Sequence, residues 1–344
     1  MNKPLAILFL NLICMVSCNN GQERIKYIHG PSTTPDTLVF DSVETNIPVF
    51  LPVKMAISGN HKLVIGIDKD EFAFAVFNLP LDGSGKKMGY IGRGPDEFLK
   101  LDYAGMTPAQ EGICIADMDG YYKTVRVTEE GMTIDNEEST FMEGEFPNGC
   151  LKTRDGFLNV NLYGINEHNE QFFLIDKEGK RKYIAPYPSW VTEDGDEGGI
   201  PPFFRGFSFR IVRPDGKQFA AVYGHQRKLI FYNLEGNILN ETSVEFPDKS
   251  VHKKSSNGMY YNTYSVYPCA SNDRIVALCS NSYPEDDIKF KELHVFDWSG
   301  ELLSVLYVPR WVTMFTVDFG EKKLYAMNLK TEDKIYCADI SNYL

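Results

Sequence analysis

Several marks by which enzymes and nucleic-acid-binding proteins are usually known are missing from this chain. It has only 6 histidines in 344 residues, and His29, His61, His168, His225, His252 and His294 never stand at HxH or HExxH spacing. A zinc site on one linear motif is therefore not expected. Cysteines number 7 and form no CxxC pair, and there is no GxSxG nucleophile elbow; zinc-ribbon, thioredoxin-like and α/β-hydrolase readings lose their support. The acidic pairs Asp68/Asp70 and Asp117/Asp119 and the run Glu193–Glu197 match no EF-hand loop. They read as solvated turn acids, with calcium at the last the competing use. Positive charge is short as well, 35 Lys and Arg against 47 Asp and Glu, a net −12. Such a surface repels phosphodiester backbones, so no nucleic-acid partner is expected. No metal and no cofactor are expected either.

The chain also lacks helical periodicity, and beyond its first residues no apolar run approaches the roughly 18 residues of a bilayer span. Its N-terminus is different. Lys3 precedes the apolar "PLAILFLNLICMV", of signal-peptide length, which ends in Met15-Val16-Ser17-Cys18 and the polar "NNGQE". This resembles the lipobox of bacterial lipoproteins, with Met15 where leucine is usual. The resemblance implies a signal peptide over 1–17, lipid on Cys18, a tether over 18–35 and one mature domain over 36–344, anchored to the outer membrane rather than spanning it. It leaves open whether that domain faces the periplasm or the outside. An ordinary secretory signal cut nearby is the competing reading. Cys114, Cys150, Cys269, Cys279 and Cys337 fall mostly in strand-like apolar runs and read as buried small hydrophobes. Cys269–Cys279 is the only pairing close enough in sequence to consider.

What the chain has in abundance is repetition. A short apolar strand ending in Asp, Asn or Thr, often followed by a glycine turn, recurs at Asn78, Thr128, Asp176, Asn233, Asp297 and Asp339, every 42 to 64 residues. A second apolar strand precedes each of these ("KLVIGID", "GICIAD", "QFAAVYG"). A third lies before that, and a fourth follows the turn. Four short antiparallel strands repeated six times predict an all-β, six-bladed propeller, with a β-sandwich array as the competitor. The last unit is one strand short, and Asp36–Ser42 ("DTLVFDS") is the N-terminal strand expected to close the ring.

After the first blade comes "GYIGRGPDEF". Its Gly92-Arg93-Gly94-Pro95-Asp96-Glu97-Phe98 resembles the GxGPxEF element of the six-bladed, TolB-like propeller lipoproteins of Bacteroidetes, with Asp96 where glycine is frequent. The resemblance spans nearly the whole mature chain, but it implies a fold and a location rather than a reaction. No helix follows and no third glycine completes a dinucleotide fingerprint, so the loop is read as a corner between blades. Gly92 and Gly94 are expected to take positive φ, Pro95 to fix the exit, and Arg93, Asp96 and Glu97 to tie blades by ion pairs.

Strand order sorts the connections. With strands A to D numbered from the axis outward, the A–B and C–D turns share one face, built from tight glycine turns. The B–C loops and D-to-A crossovers share the other and hold every long insertion. Binding is expected on that long-loop face, near the crossovers into blades 4 and 5. There Tyr260, Tyr261 and Tyr264 offer a stacking platform, although any of them could instead begin strand A and pack between blades. Arg205 and Arg210 could hold a carboxylate, for instance of a uronic acid, or pair with neighbouring acids. The chain is thus read as a monomeric binding or scaffold module for a protein or glycan. The alternative is a carbohydrate-active enzyme, a lyase or hydrolase, with His225 and Arg227 as weak catalytic candidates at the channel mouth.

Overall fold

The computed structural model describes residues 25–29, 35–142, 145, 148–161, 169–192, 206–245, 262–282 and 287–344. Within them lie six sheets with antiparallel cores, one per sequence repeat, arranged as a β-propeller. Blade 1 (Pro52–Ile57, Lys62–Ile67, Phe72–Asn78, Gly85–Tyr90) is typical, each strand pairing with the next in sequence. Strand A of every blade abuts strand A of the next, and that of blade 6 (Met314–Asp318) abuts that of blade 1, so the ring is closed.

The strand chemistry follows from this arrangement. A middle strand is covered on both faces by neighbouring blades, so it needs apolar residues in succession, as in the fully buried Leu63, Val64 and Ile65. An outer strand has one face in water and alternates, as Met132–Ser139 does. Each seam between blades holds its own apolar cluster. The largest, between blades 5 and 6, includes Leu278, Leu293, Leu306 and Phe315. Among the described residues the seam between blades 2 and 3 is the thinnest, with Ala116, Tyr122, Cys150 and Phe157 buried in one small cluster and Met142, Phe173 and Ile175 in another.

The N-terminal segment closes the ring, but not in the expected register. Asp41–Glu44 is the strand that completes blade 6, antiparallel to strand C, with Val43 opposite Ile335. Asp36–Thr37 instead runs parallel to the outer strand of blade 5. Between them Leu38 donates its backbone N–H to Tyr307 O at 2.8 Å and buries its side chain in the blade 5–6 seam, which fixes where the chain must cross. Farther back, Ile25–His29, inside the segment read as tether, pairs parallel with the outer strand of blade 4, Ile25 opposite Glu241. The arm thus covers one exposed sheet edge after another, edges that otherwise invite pairing with other chains.

None of the five cysteines among the described residues is in a disulfide. Cys269 lies in the short inner strand opposite Val276, while Cys279 is buried farther along strand B of blade 5. No Cys269–Cys279 bridge forms.

The "GYIGRGPDEF" corner is built differently from its expected form. Neither Gly92 nor Gly94 takes positive φ; Gly89 (φ 74°) and Asp96 (φ 59°) do. The Glu97 carboxylate folds back onto both glycines and occupies the space a Cβ would need. Glu97 accepts the Gly94 N–H at 2.6 Å, and Asp96 accepts the Ile134 N–H of blade 2 at 2.7 Å. Among the described residues Arg93 forms no ion pair. The corner joins blades through carboxylate-to-backbone bonds, and the buried Phe98 seals it edge-on against Phe74, centroids 5.7 Å apart. Glu97→Lys is expected to lower stability by about 1–3 kcal/mol, because a bond to a charged acceptor is lost and the Gly94 N–H is left without it. Urea unfolding checks this; a change in ligand affinity with unaltered stability would argue instead for a binding role.

Candidate functional site

The inner strands enclose a cavity of about 700 Å³ on the propeller axis. Its mouth is framed by the A–B turns of blades 1, 3, 4 and 6, with His61, Arg154, Arg213 and Asp318 at the rim. It therefore opens on the tight-turn face, opposite to the face expected from loop length. The volume falls within the range of small-ligand sites.

The floor is polar in an unusual way. Lys54 from blade 1, Arg210 from blade 4 and Cys269 from blade 5 line it, with the buried Asp102 of blade 2 behind them. What surface Lys54 and Arg210 retain faces the cavity rather than bulk water. The Lys54 ammonium donates to Ala104 O at 2.8 Å and stands 4.9 Å from the centre of the Tyr267 ring. Arg210 donates from Nη1 to Ser208 O at 2.9 Å and from Nη2 to Asn148 O at 2.6 Å. The guanidinium can lie there because Gly149, at φ 67°, has no Cβ to collide with it. Asp102 accepts the Cys150 N–H at 2.7 Å across the thin blade 2–3 seam.

Burial dominates the titration of this group. It pushes Lys54 down to about 8, the neighbouring Arg210 adding to the effect while Cys269 and Asp102 oppose it. It also lowers Arg210 and raises Asp102, whose bonds to the Cys150 and Gly149 N–H groups and facing cations oppose the rise. The Cys269 thiol is pushed up by burial and is therefore protonated at neutral pH, an inert group rather than a nucleophile. Two cations thus face one buried carboxylate, an excess of positive charge at the axis of an acidic chain. At the rim Arg213 Nε stands 3.8 Å from Asp215 and Asp318 Oδ2 stands 3.9 Å from His61 Nδ1, while at the floor Arg210 Nε is buried without a hydrogen bond. Arg154 has its own partner in Asp155, at 2.9 Å.

Of the five residues expected to bind ligand, Arg210 alone is placed in this cavity, and it reaches it from strand A rather than from a crossover loop. Tyr264 does not form a platform: it is fully buried in the blade 4–5 seam, its hydroxyl 3.0 Å from His294 Nδ1. A tyrosine that begins strand A beside a neighbouring blade has nowhere else to go. Arg205, Tyr260 and Tyr261, like Cys18 and most of both long crossovers, lie outside the described residues. The pair proposed for catalysis does not line the axis. Arg227 is buried and donates from Nε to Asn281 Oδ1 at 2.7 Å, tying blade 4 to blade 5, and His225 is half-buried beside Phe207. Lys54 and Asp102 were missed, because a lone lysine in "PVKMAI" and an aspartate in "LDYAG" carry no linear signal.

No family model and no curated protein sequence matches the chain. Among solved structures it is similar to a member of the DUF4221 family from Bacteroides vulgatus, at 13% identity and TM-score 0.59, over 89% of this chain and 97% of that one. It is also similar to a protein of Bacteroides fragilis named for an expected export, at 13% identity and TM-score 0.51, over 92% and 99% of the two chains. At such identities the likeness concerns the fold.

Proposed function

We propose that the chain is a binding propeller of the bacterial envelope, held to the outer membrane by lipid on Cys18, that takes a carboxylate-bearing ligand, an acidic glycan end, into its axial cavity. The observation that carries the reading is the convergence of Lys54 and Arg210 at the cavity floor in a chain of net charge −12. A carboxylate matches such a floor because guanidinium and ammonium donors make their strongest hydrogen bonds to anionic oxygens. The cavity volume suits a few sugar rings better than a folded partner. The likeness to a Bacteroides protein named for export is in keeping with an envelope location.

Titrating the purified chain with oligouronates and with neutral oligosaccharides of equal length tests the reading. Uronates are expected to bind, less tightly as salt is added, and neutral sugars not to bind. Equal binding of both would overturn the role of the cations. Chromatography of the same mixtures addresses the rival: shortened or unsaturated products would make the protein a lyase or hydrolase. The anchor has a separate test. Cys18→Ala is expected to move the protein from the membrane to the soluble fraction, and its retention in the membrane fraction would count against lipid on that residue.

A further inference from the structure

A second polar group stands apart from the axial cavity, toward the long-loop end of blade 5. Cross-strand register sets Tyr264 opposite Cys279 and Cys279 opposite Glu292, with His294 two residues along on the same face. That face packs against blade 4 among Val222, Leu229 and Phe231. Cys279 and His294 are fully buried, while Glu292 keeps 17% of its side chain exposed and so offers a way in. One donor atom each from Cys279, Glu292 and His294 lie within 4.8 Å of one another.

Hydrogen bonding accounts for part of this group. His294 Nδ1 is 3.0 Å from the Tyr264 hydroxyl, and Nε2 is 2.9 Å from Glu292 Oε2. With both ring nitrogens so engaged, the imidazole cannot act as the base for a Cys279 nucleophile. Nor does a Tyr–His–Glu line need a thiol within reach of both other donors. One thiol, one imidazole and one carboxylate are instead a ligand set suited to zinc, leaving a fourth position open. Tyr264 on the far ring nitrogen matches the outer-shell partner that orients a metal-bound histidine.

We propose that Cys279, Glu292 and His294 bind one zinc ion, with Tyr264 as the outer-shell partner of His294. On binding, the thiol gives its proton to solvent, and the imidazole proton moves to Nδ1, where the Tyr264 oxygen accepts it. Nε2, the Glu292 carboxylate and the Cys279 thiolate then each donate a pair to the metal. Arg227, whose positive charge acts on Tyr264, is opposed by the two negative charges that the thiolate and carboxylate bring.

Titration of the chelator-stripped full chain with Co²⁺ tests the site. A sulfur-to-cobalt charge-transfer band is expected, saturating at a single equivalent and bleached by Zn²⁺. Cys279→Ser should keep the fold and lose the band. Tyr264→Phe should keep the band but bind at least about tenfold more weakly, the usual effect of removing an outer-shell partner. Should Cys279→Ser not fold, Glu292→Gln serves in its place, with an expected loss of at least about tenfold in affinity. Absence of a band in the wild-type chain, an unchanged band in Cys279→Ser, or unchanged affinity in Glu292→Gln overturns the proposal.

Discussion

Lys54→Met is expected to make the propeller more stable and to remove most of its affinity for a carboxylate. The two effects have opposite signs, which is what separates a functional lysine from a structural one. A pKa of about 8 in place of the ordinary 10.5 corresponds to about 3 kcal/mol against the charged form. The bond to Ala104 O and the Tyr267 ring are lost in the variant, and the ammonium keeps some surface toward the cavity. A net gain of about 1–2 kcal/mol is therefore expected, as when a buried charge yields to an apolar side chain of similar length. The pH dependence has a definite sign. Because the folded-state pKa lies below the unfolded one, the penalty is fully present below about pH 8 and is relieved as pH rises from there toward 10.5. Denaturant unfolding of the wild-type chain should show that rise, and the variant should not. Carboxylate affinity should run the other way, full below about pH 8 and falling above it as the free protein's Lys54 loses its proton. In Lys54→Met it should be roughly tenfold to a hundredfold weaker, the worth of a hydrogen bond to a charged group. Loss of stability with unaltered affinity would make Lys54 a blade-joining residue and nothing more.

The propeller was legible in the sequence because each blade must bury both faces of its middle strands. That demand writes apolar runs such as "KLVIGI" and "KLIFYN" at a period visible without structure. The closing strand was legible in kind but not in register, since the arm's path depends on Leu38 finding the blade 5–6 seam, a tertiary preference. The glycines of "GRGP" do mark an unusual local geometry, but its cause is not positive φ. Glu97, three residues on, is what they make room for. The axial site could not be read, because each inner strand contributes one or two residues and a sequence does not say which point inward. Loop length pointed to the opposite face. The Cys279, Glu292 and His294 group was hidden for a related reason: its members come from two strands, and only the register of a particular sheet brings the thiol to the other donors.

Asp102→Ala is expected to be among the more damaging single changes in the chain, at about 1–3 kcal/mol for the buried backbone donor left without its acceptor. Asp102 is 3% exposed, faces Lys54 and Arg210, and accepts the Cys150 N–H across the thin blade 2–3 seam. Its loss removes the charge that faces the two cations and, more costly, leaves the Cys150 N–H without its acceptor. Asp102→Asn separates these effects. The amide oxygen can still accept from Cys150, so a loss of no more than about 2 kcal/mol is expected, but the negative charge that competes with a bound carboxylate is gone. Uronate affinity should therefore rise in Asp102→Asn while it falls in Lys54→Met. Acid titration carries a further sign. Burial holds the Asp102 carboxyl above its ordinary 3.8, so on acidification the folded state takes up that proton before the unfolded chain does. This group then makes stability rise, not fall, as pH drops through the window, and Asp102→Asn should lose that contribution. A weaker uronate complex in Asp102→Asn would mean that the carboxylate positions Lys54 and Arg210 for the ligand, and that the charge balance at the axis is not what selects it.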